Sequence, residues 1–265
     1  MRHVKNTIMS KSNDFRKLHA GNKPFIIGNV WNAKSARIAE KAGYKALGIS
    51  GHAIAENLGY GDGEEMSFEE LTFIVKRVIQ SVSIPVSVDI DGGYGRDSRT
   101  VNQNIEKLLQ MGAAGINIED SVMKDGKRQL VDPTRFAKII RGIRTFLSER
   151  DAAFFVNVRV DTYITKQEQP LDETLKRIKK YEDAGADGVF VPFLTDQEEI
   201  RKVVQSTSLP LNVYLRPNFP AFEVLAEMGV KRISYGTAVY LQSYAKAEEL
   251  FQVLLNDKRF ERLFA

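Results

Sequence analysis

Acidic side chains follow several short apolar runs of this chain. If these runs are strands, the acids lie at the strand ends, where their side chains would be exposed. Asp89 and Asp91 lie two residues apart, so on a strand both would point to the same face. Two like charges this close repel each other unless a proton or a cation lies between them. Oxygen ligands, in a chain with no cysteine and three histidines, select a hard cation. The pair alone is more typical of helix caps or partners of lysine, but together with Glu119 and Arg159 on neighbouring strands it predicts a site for Mg²⁺ or Mn²⁺.

Further polar residues end neighbouring runs and could complete such a site. Glu119 could join the metal shell directly or through water, and the planar guanidinium of Arg159 could clamp a substrate carboxylate. Ser50 and Gly51 could cradle a carboxylate with a hydroxyl and backbone N–H groups. Each has a plainer interpretation: Arg159 as an internal salt bridge, Ser-Gly as an ordinary turn, and the acids as helix caps or partners of lysine.

A repeated strand–helix unit would position these residues. Helical patterns alternate with β-rich runs, and stretches such as KAGYKALGIS end a helix with a glycine just before the next strand. The eight runs are 25–30, 46–50, 86–90, 115–119, 154–160, 188–193, 211–215 and 232–235. Eight units predict a (β/α)8 TIM-type barrel, with a doubly wound open sheet as the alternative. In such barrels the carboxyl ends of the strands form the active site, so the candidate residues would meet there.

The two ends of the chain add helices to this barrel. We expect a cap helix over Lys11–Ala20 and a helical tail that starts at Val239. No shift in composition divides the sequence, which predicts one domain over residues 1–265. The apolar residues Phe260, Leu263 and Phe264 near the end could pack on another subunit.

Composition excludes several classes of function. The chain of 265 residues carries 38 Lys+Arg against 34 Asp+Glu, a net charge of +4 that predicts no nucleic-acid partner. No apolar run is long enough to span a membrane, and the polar N-terminal sequence predicts a cytoplasmic protein. The lack of cysteine excludes disulfides, thiolate metal sites and a cysteine nucleophile.

Four motifs together resemble the phosphoenolpyruvate mutase/isocitrate lyase superfamily. They are SGHAIAENLGYGDGEEMS, SVDIDGGYG, GINIED and VRVDT, in that order, and the similarity runs through nearly the whole chain. The resemblance implies a (β/α)8 barrel that binds Mg²⁺ and a small 2-oxo acid or phosphonate. It also implies a homotetramer whose subunits exchange their last helix.

The resemblance also assigns roles to individual residues. Asp89 and Asp91 become the metal-shell aspartates, Glu119 their second-shell or water-bridged partner, and Arg159 the ligand of the substrate carboxylate. The turn Ser50–Gly51–His52 would bind the oxo-acid end of the substrate, and Asp62 would lie on a mobile loop that contributes to the metal site or activates water. Asn212 matches an amide that contacts substrate, and Asn117 stands where some lyases place a histidine. His52 taken alone is as easily a turn residue as a ligand.

The loop that defines the reaction in this superfamily departs from the known patterns. Residues 121–130 lack the cysteine and histidine of the lyases, and Ser121 replaces the lysine of the mutases. Pro192 and Phe193 stand where mutases have a histidine and lyases a glutamate. The basic residues of this loop are Lys124, Lys127 and Arg128, interpreted as a solvated charge cluster.

These observations lead to one main hypothesis and several alternatives. The main hypothesis is a Mg²⁺-dependent enzyme that cleaves a C–C bond through a pyruvate-type enolate. Its substrate would be a small 2-oxo or 2-hydroxy carboxylate that resembles oxaloacetate or methylisocitrate. The catalytic residues would be Asp62, Glu119 and Arg159. A phosphonopyruvate hydrolase or phosphoenolpyruvate phosphonomutase, acting on a P–C bond, is the alternative within the superfamily. A non-catalytic barrel that binds a metal–carboxylate ligand is the alternative of another class. A phosphosugar enzyme is disfavoured because the last two strand ends lack the paired glycines of a phosphate cradle.

Overall fold

Eight parallel strand positions close into a barrel in the computed structural model, which describes residues 2–258 and 260–264. The first position is split into β1 (Phe25–Ile26) and β2 (Gly28–Val30). The others are β3 (Leu47–Ile49), β4 (Val86–Asp89), β5 (Gly115–Glu119), β8 (Phe155–Arg159), β9 (Gly188–Val191), β10 (Leu211–Tyr214) and β11 (Arg232–Ser234). All eight predicted runs contain these strands, and the TIM-type barrel is confirmed.

The closure of the barrel depends on the split first strand. β1 pairs with β11, where Phe25 is in register with Arg232, and β2 pairs with β3, where Gly28 is in register with Leu47. At the break, the Ile27 N–H donates to the carbonyl of Ile233 across the seam. Because the same stretch of chain serves both neighbours, the sheet has no open edge, and the doubly wound alternative is excluded.

Helices surround the sheet and cover its outer face. They are α1 (Arg2–Ala20), α2 (Ala33–Lys41), α3 (Gly51–Asn57), α4 (Phe68–Gln80), α5 (Ser98–Met111), α6 (Pro133–Ser148), α7 (Pro170–Asp183), α8 (Gln197–Ser206), α9 (Phe222–Glu227) and α10 (Ala238–Gln252). Several start at the side-chain caps that their sequences predict; for example, Asp97 accepts from the Thr100 N–H at 2.9 Å. Helices α2 and α4 to α8 present buried apolar residues to the strands, so the main core lies between the strands and these helices.

The amino end of the barrel is covered by α1, which begins nine residues before the predicted cap helix. Phe15 is fully buried in a small apolar cluster with Ile27 and Phe155. The imidazole of His19 stacks on the Phe155 ring, with ring centroids 3.9 Å apart. This end of the barrel is therefore closed by aromatic packing.

The carboxyl end carries two elements absent from the sequence-based prediction. The short helix α3 starts directly after β3, and the loop after β5 is a hairpin of β6 (Ser121–Lys124) and β7 (Lys127–Leu130). Asp125 and Gly126 form its two-residue turn with positive φ at both positions, the geometry that suits a hairpin. The reaction-defining loop of the sequence analysis is thus an ordered hairpin beside the barrel mouth.

The C-terminal segment leaves the barrel with its apolar side chains exposed. In α10 Tyr240 is buried, whereas Leu241, Tyr244 and Phe251 are exposed. A π-helical turn (Val253–Asp257) and a 3₁₀ turn (Phe260–Leu263) follow. Among the described helices, none combines the length and the apolar character that a membrane span requires.

Candidate functional site

A cavity of about 320 Å³ opens at the carboxyl end of the barrel. Its volume lies at the small end of the range for small-molecule pockets. The lining residues are Asn29, Ile49, Ser50, His52, Asp62, Asp89, Asn117, Arg128, Arg159, Ile164, Phe190, Pro192, Phe193, Tyr214, Ser234, Gly236 and Thr237. Of the ten site residues predicted from the sequence, six line this cavity; Gly51, Asp91, Glu119 and Asn212 do not.

Asp89 ends β4 with its carboxylate at the cavity and accepts no hydrogen bond from the described residues. Burial raises the pKa of Asp89 to about 6. Asp91 is buried behind the lining, and its Oδ2 accepts from the Glu64 N–H at 3.2 Å. Burial, followed by the charge of Asp89, raises the pKa of Asp91 to about 7. Two neighbouring buried carboxylates repel each other, and a proton or a cation between them relieves that repulsion.

Glu119 and Arg159 meet at the mouth of the barrel as a buried ion pair. Nη1 of Arg159 lies 2.7 Å from Oε2 of Glu119, and Nε lies 2.7 Å from Oδ1 of Asp161. Burial disfavours the charge of Arg159, but Asp161 and Glu119 outweigh it and raise its pKa. Arg159 therefore forms the internal salt bridge that the sequence left open, and it also lines the cavity.

Arg128 is the functional candidate that the sequence analysis missed. Its guanidinium forms an ion pair with Glu119, donates to the Ser121 Oγ at 2.9 Å and lies 2.7 Å from Oδ2 of Asp62. Lys124 and Lys127 are exposed as expected, but the Arg128 side chain is only 11% exposed. The predicted solvated cluster is thus wrong for Arg128. The Asp-Gly turn was the signal for a hairpin, whose alternation turns Ser121 and Arg128 towards the same face.

The turn after β3 and the loop that follows it contain four of the predicted residues. Ser50 caps α3, accepting from the Ala53 N–H at 3.3 Å, and Gly51 lies beside Asp89. The Nδ1 atom of His52 lies 3.4 Å from Oδ1 of Asp62. Burial opposes the charge on Asp62, but the contact with His52 and the arginine charges outweigh it, so that the pKa of Asp62 falls to about 2. The same contact raises the pKa of His52.

The two predicted asparagines occupy different places in the barrel. Asn117 lines the cavity, and its Oδ1 accepts from Asn157 at 2.9 Å and from Arg232 at 3.2 Å. Asn212 is buried inside the barrel and donates to Ser234 at 3.4 Å, so it is placed away from the cavity lining. Because the oxygen of Asn117 is fully engaged, its amide nitrogen is the group left for a ligand.

Arg232 is a buried cation beneath this site. Its Nε and Nη1 find no hydrogen-bond partner among the described residues. Burial lowers the pKa of Arg232 to about 9, which still leaves it charged at neutral pH. Since its Nη2 holds the Asn117 oxygen, Arg232 fixes the orientation of that side chain.

The donor set of this end fits a hard divalent cation held largely by water and ligand. Within residues 2–258 and 260–264, no three His, Asp or Glu side chains are placed to ligate one ion. Mg²⁺ is often held by one or two carboxylates, with waters and substrate oxygens completing the shell. The carboxylate of Asp89, which lines the cavity and accepts no hydrogen bond from the described residues, suits that arrangement, whereas both oxygens of Glu119 are engaged by Arg128 and Arg159.

The other half of the cavity is apolar. Phe190, Pro192, Phe193 and Tyr214 come from β9, β10 and the loop between them, and Ile164 adjoins them from the loop after β8. The rings of Phe193 and Tyr214 stack, with centroids 5.9 Å apart and an interplanar angle of 14°. We call these five residues the apolar wall.

Comparison with known proteins supplies the family. The sequence model of phosphoenolpyruvate phosphomutase matches residues 15–255. The chain belongs to this family. It is 32% identical over 226 residues to an uncharacterized protein of Mycobacterium tuberculosis (strain CDC 1551 / Oshkosh), covering 85% of this chain and 83% of that protein.

Two further comparisons connect the family to lyases and mutases. An oxaloacetate decarboxylase of Pseudomonas entomophila (strain L48) is 29% identical, with 85% of this chain and 78% of that protein covered. A crystal structure from Burkholderia cenocepacia J2315, provisionally called a phosphonomutase, is 34% identical with a TM-score of 0.87, covering 92% of this chain and 98% of that one. The superfamily predicted from the motifs is therefore confirmed, and with it an enzyme of the lyase and mutase group.

The loop after β5 and the loop after β9 carry residues that depart from the patterns expected of the superfamily. Arg128 enters the site from a loop without the expected cysteine, histidine or lysine, and the apolar wall includes Pro192 and Phe193. The roles assigned to the ten predicted residues stay predictions. Six of these ten residues line the polar half of the cavity.

Proposed function

We propose that this chain is a Mg²⁺- or Mn²⁺-dependent enzyme that cleaves a C–C bond of a small 2-oxo or 2-hydroxy carboxylate through a pyruvate-type enolate. The proposal rests chiefly on the Asp89 carboxylate. This carboxylate faces the cavity, accepts no hydrogen bond from the described residues and feels the positive charge of Arg159. Relatives named for oxaloacetate decarboxylation support the same class of substrate.

The bound ion would supply a Lewis acid for the 2-oxo and carboxylate oxygens of the substrate. Asp89 and Asp91 would hold it, with Glu119 in direct or water-bridged support. Arg159 retains N–H groups beyond those held by Asp161 and Glu119 and could donate them to the substrate carboxylate. Ser50 and Gly51 would flank the oxo-acid end.

The chain's own donors would stabilise the charge that develops when the bond breaks. When the C–C bond breaks, its electron pair would enter a pyruvate enolate and the other fragment would leave as CO2 or as a carbonyl compound. The amide nitrogen of Asn117 could donate to the enolate oxygen. The pair of His52 and Asp62 stands at the rim as a proton donor and acceptor, because the imidazole can carry a proton near neutral pH. Arg128 holds Asp62 and Glu119 in place.

Cleavage of a P–C bond, as in a phosphonopyruvate hydrolase or phosphonomutase, is the second candidate. The observation that favours it is the likeness to the structure provisionally called a phosphonomutase. The same enolate would form from phosphonopyruvate, so the two candidates differ in the leaving group.

Pyruvate release separates these candidates. Purified protein is assayed with oxaloacetate and with phosphonopyruvate, each with Mg²⁺ and with EDTA. We expect metal-dependent release of pyruvate from a C–C substrate, and a loss of about a hundredfold or more in Asp89→Asn. Asp183→Asn, at an exposed residue of α7 paired with Lys179, is the matched control. Equal rates for Asp89→Asn and wild type, or rates that ignore EDTA, would contradict the proposal.

The assembly is also part of the proposal. Leu241, Tyr244, Phe251 and Leu255 leave an exposed apolar stripe along the C-terminal segment. We propose that it packs in a homo-oligomer, a tetramer with exchanged C-terminal helices, which light scattering on a size-exclusion column would test. A monomer at micromolar concentration would refute it. The cytoplasmic location stays a prediction.

A further inference from the structure

The side chain of Arg232 spans the interior of the barrel. It starts from β11, which stands opposite β5 in the order of the eight strand positions. Its Nη2 nonetheless lies 3.2 Å from Oδ1 of Asn117 on β5. On the other side, its guanidinium lies 5.9 Å from the centroid of the Phe15 ring. Arg232 therefore separates the aromatic cluster at the amino end from the floor of the cavity.

An arginine in this position is costly for the fold. Arg232 is fully buried, and its Nε and Nη1 find no hydrogen-bond partner among the described residues. The hydrogen bond that it does form goes to an amide oxygen, which does not neutralise its charge. Branched apolar side chains usually fill the interior of such barrels, and they can replace buried charges without loss of stability. Packing alone therefore does not explain Arg232.

The hydrogen bond from Arg232 decides which end of the Asn117 amide meets a ligand. Asn157 donates its Nδ2 to the Asn117 oxygen at 2.9 Å, but two paired amides can turn over together and keep a hydrogen bond. A guanidinium only donates, so it breaks this symmetry and holds the Asn117 oxygen away from the cavity. In the reversed pair, that oxygen would face the cavity beside Asp89, which is in register with Asn117.

We propose that Arg232 is a positioning residue for the reaction and keeps the amide nitrogen of Asn117 directed at the oxygen that becomes the enolate. The inference rests on the proposed function, in which this nitrogen donates to the enolate oxygen. An acceptor in the same place would repel the developing negative charge instead of stabilising it. Arg232 thus supports turnover without touching the substrate.

Oxalate and pyruvate are a pair of probes for this arrangement. Oxalate carries a negatively charged oxygen where the enolate oxygen would be, whereas the 2-oxo oxygen of pyruvate is neutral. Each is titrated by calorimetry into the full chain with Mg²⁺, in wild type and in Arg232→Met. We expect the variant to bind oxalate at least about tenfold more weakly, because a hydrogen bond to a charged group is lost, and pyruvate within about threefold of wild type.

Turnover and stability should respond differently to the same variant. Arg232→Met should lower kcat for pyruvate release about ten- to a hundredfold. Its urea midpoint should equal or exceed that of wild type, because methionine fills similar space without a buried charge. Arg232→Lys keeps a side chain that only donates, so it should recover most of the turnover.

The matched control is a second arginine whose contacts lie away from the cavity. Arg144 on α6 forms an ion pair with Asp187 and donates to the Gly185 carbonyl at 2.9 Å. Arg144→Met should therefore lower the urea midpoint and leave kcat unchanged, which is the reverse of the pattern expected for Arg232→Met.

A double-mutant cycle with Asn117→Ala shows whether Arg232 acts through that amide. In the Asn117→Ala background, Arg232→Met should change the oxalate affinity and kcat by less than about twofold, because no amide is left to orient. A long-range effect of the lost charge would persist in that background at the size that it has with Asn117 present.

The outcomes separate this inference from the proposed function. If wild type binds no oxalate with Mg²⁺, the proposed function fails and the inference fails with it. If wild type binds oxalate and Arg232→Met binds it equally well, the proposed function survives and the inference is overturned. An additive cycle, or a urea midpoint of Arg232→Met lowered as far as that of Arg144→Met, overturns the inference as well.

Discussion

The carboxyl end of the barrel is lined on one side by buried acids and arginines, whereas the amino end is packed with aromatic rings. Asp89 keeps a carboxylate without a hydrogen-bond donor, and Arg128 reaches the neighbouring Glu119 from a hairpin outside the barrel. At the opposite end, Phe15 and His19 of α1 stack against Phe155. Burying charge costs stability and burying aromatic surface provides it, so the amino end offsets part of the cost of the buried charges at the carboxyl end.

The largest effect on stability is expected at the amino end, in Phe15→Ala. Phe15 is fully buried, and its ring packs edge-on against Phe155 with centroids 5.5 Å apart. Its loss should lower the free energy of unfolding by about 3–5 kcal/mol, as is typical of large-to-small changes in a core. Urea denaturation measures this, with the exposed Phe73→Ala as control. A decrease of less than about 1 kcal/mol in the free energy of unfolding would show that the aromatic packing at the amino end does not stabilise the barrel.

A smaller effect, on turnover and not on folding, is expected in Arg128→Lys. The lysine keeps the charge but cannot contact Glu119 and Asp62 with one planar group. Supporting contacts of this kind are worth about ten- to a hundredfold in activity. Lys127→Arg, at an exposed neighbour, should leave turnover unchanged. Unaltered turnover in Arg128→Lys would reduce the hairpin to a structural element.

The effect that is smallest at neutral pH concerns the amino end, whose stability responds to acid. Burial lowers the pKa of His19 to about 3, below its ordinary value of 6.5. The unfolded chain therefore binds a proton between these values that the folded chain does not, and stability falls as the pH falls through this window, by about 1.4 kcal/mol per pH unit. His19→Phe should flatten that part of the stability curve. The same slope in this variant would show that other groups cause it.

The barrel could be predicted from the sequence because its signals are local. Helix-ending glycines and apolar runs repeat in every unit, and the acids at the strand ends follow from counting residues along strands. Asp89 and Arg159 were found in this way. Asn212 was placed at the cavity by resemblance, whereas its strand position turns it into the barrel interior.

What the sequence could not provide are contacts between elements far apart in the chain. Arg128 contacts Asp62, which lies 66 residues away along the chain, and neither position has a local sequence pattern that predicts this contact. The apolar wall likewise depends on Phe193 and Tyr214 meeting from successive strands, and on a positive φ that no aromatic residue favours. The sequence showed which residues were unusual there, but not that they form a surface.

The interruption at Ile27 has a consequence for how the chain reaches its native state. Since residues 25–30 must pair with both β3 and β11, a nascent chain that lacks residues 232–234 exposes two unpaired strand edges. Such edges are templates for intermolecular association. The last strand to leave the ribosome is therefore the one that protects the first, and truncation before Arg232 should turn a monodisperse protein into one prone to aggregate.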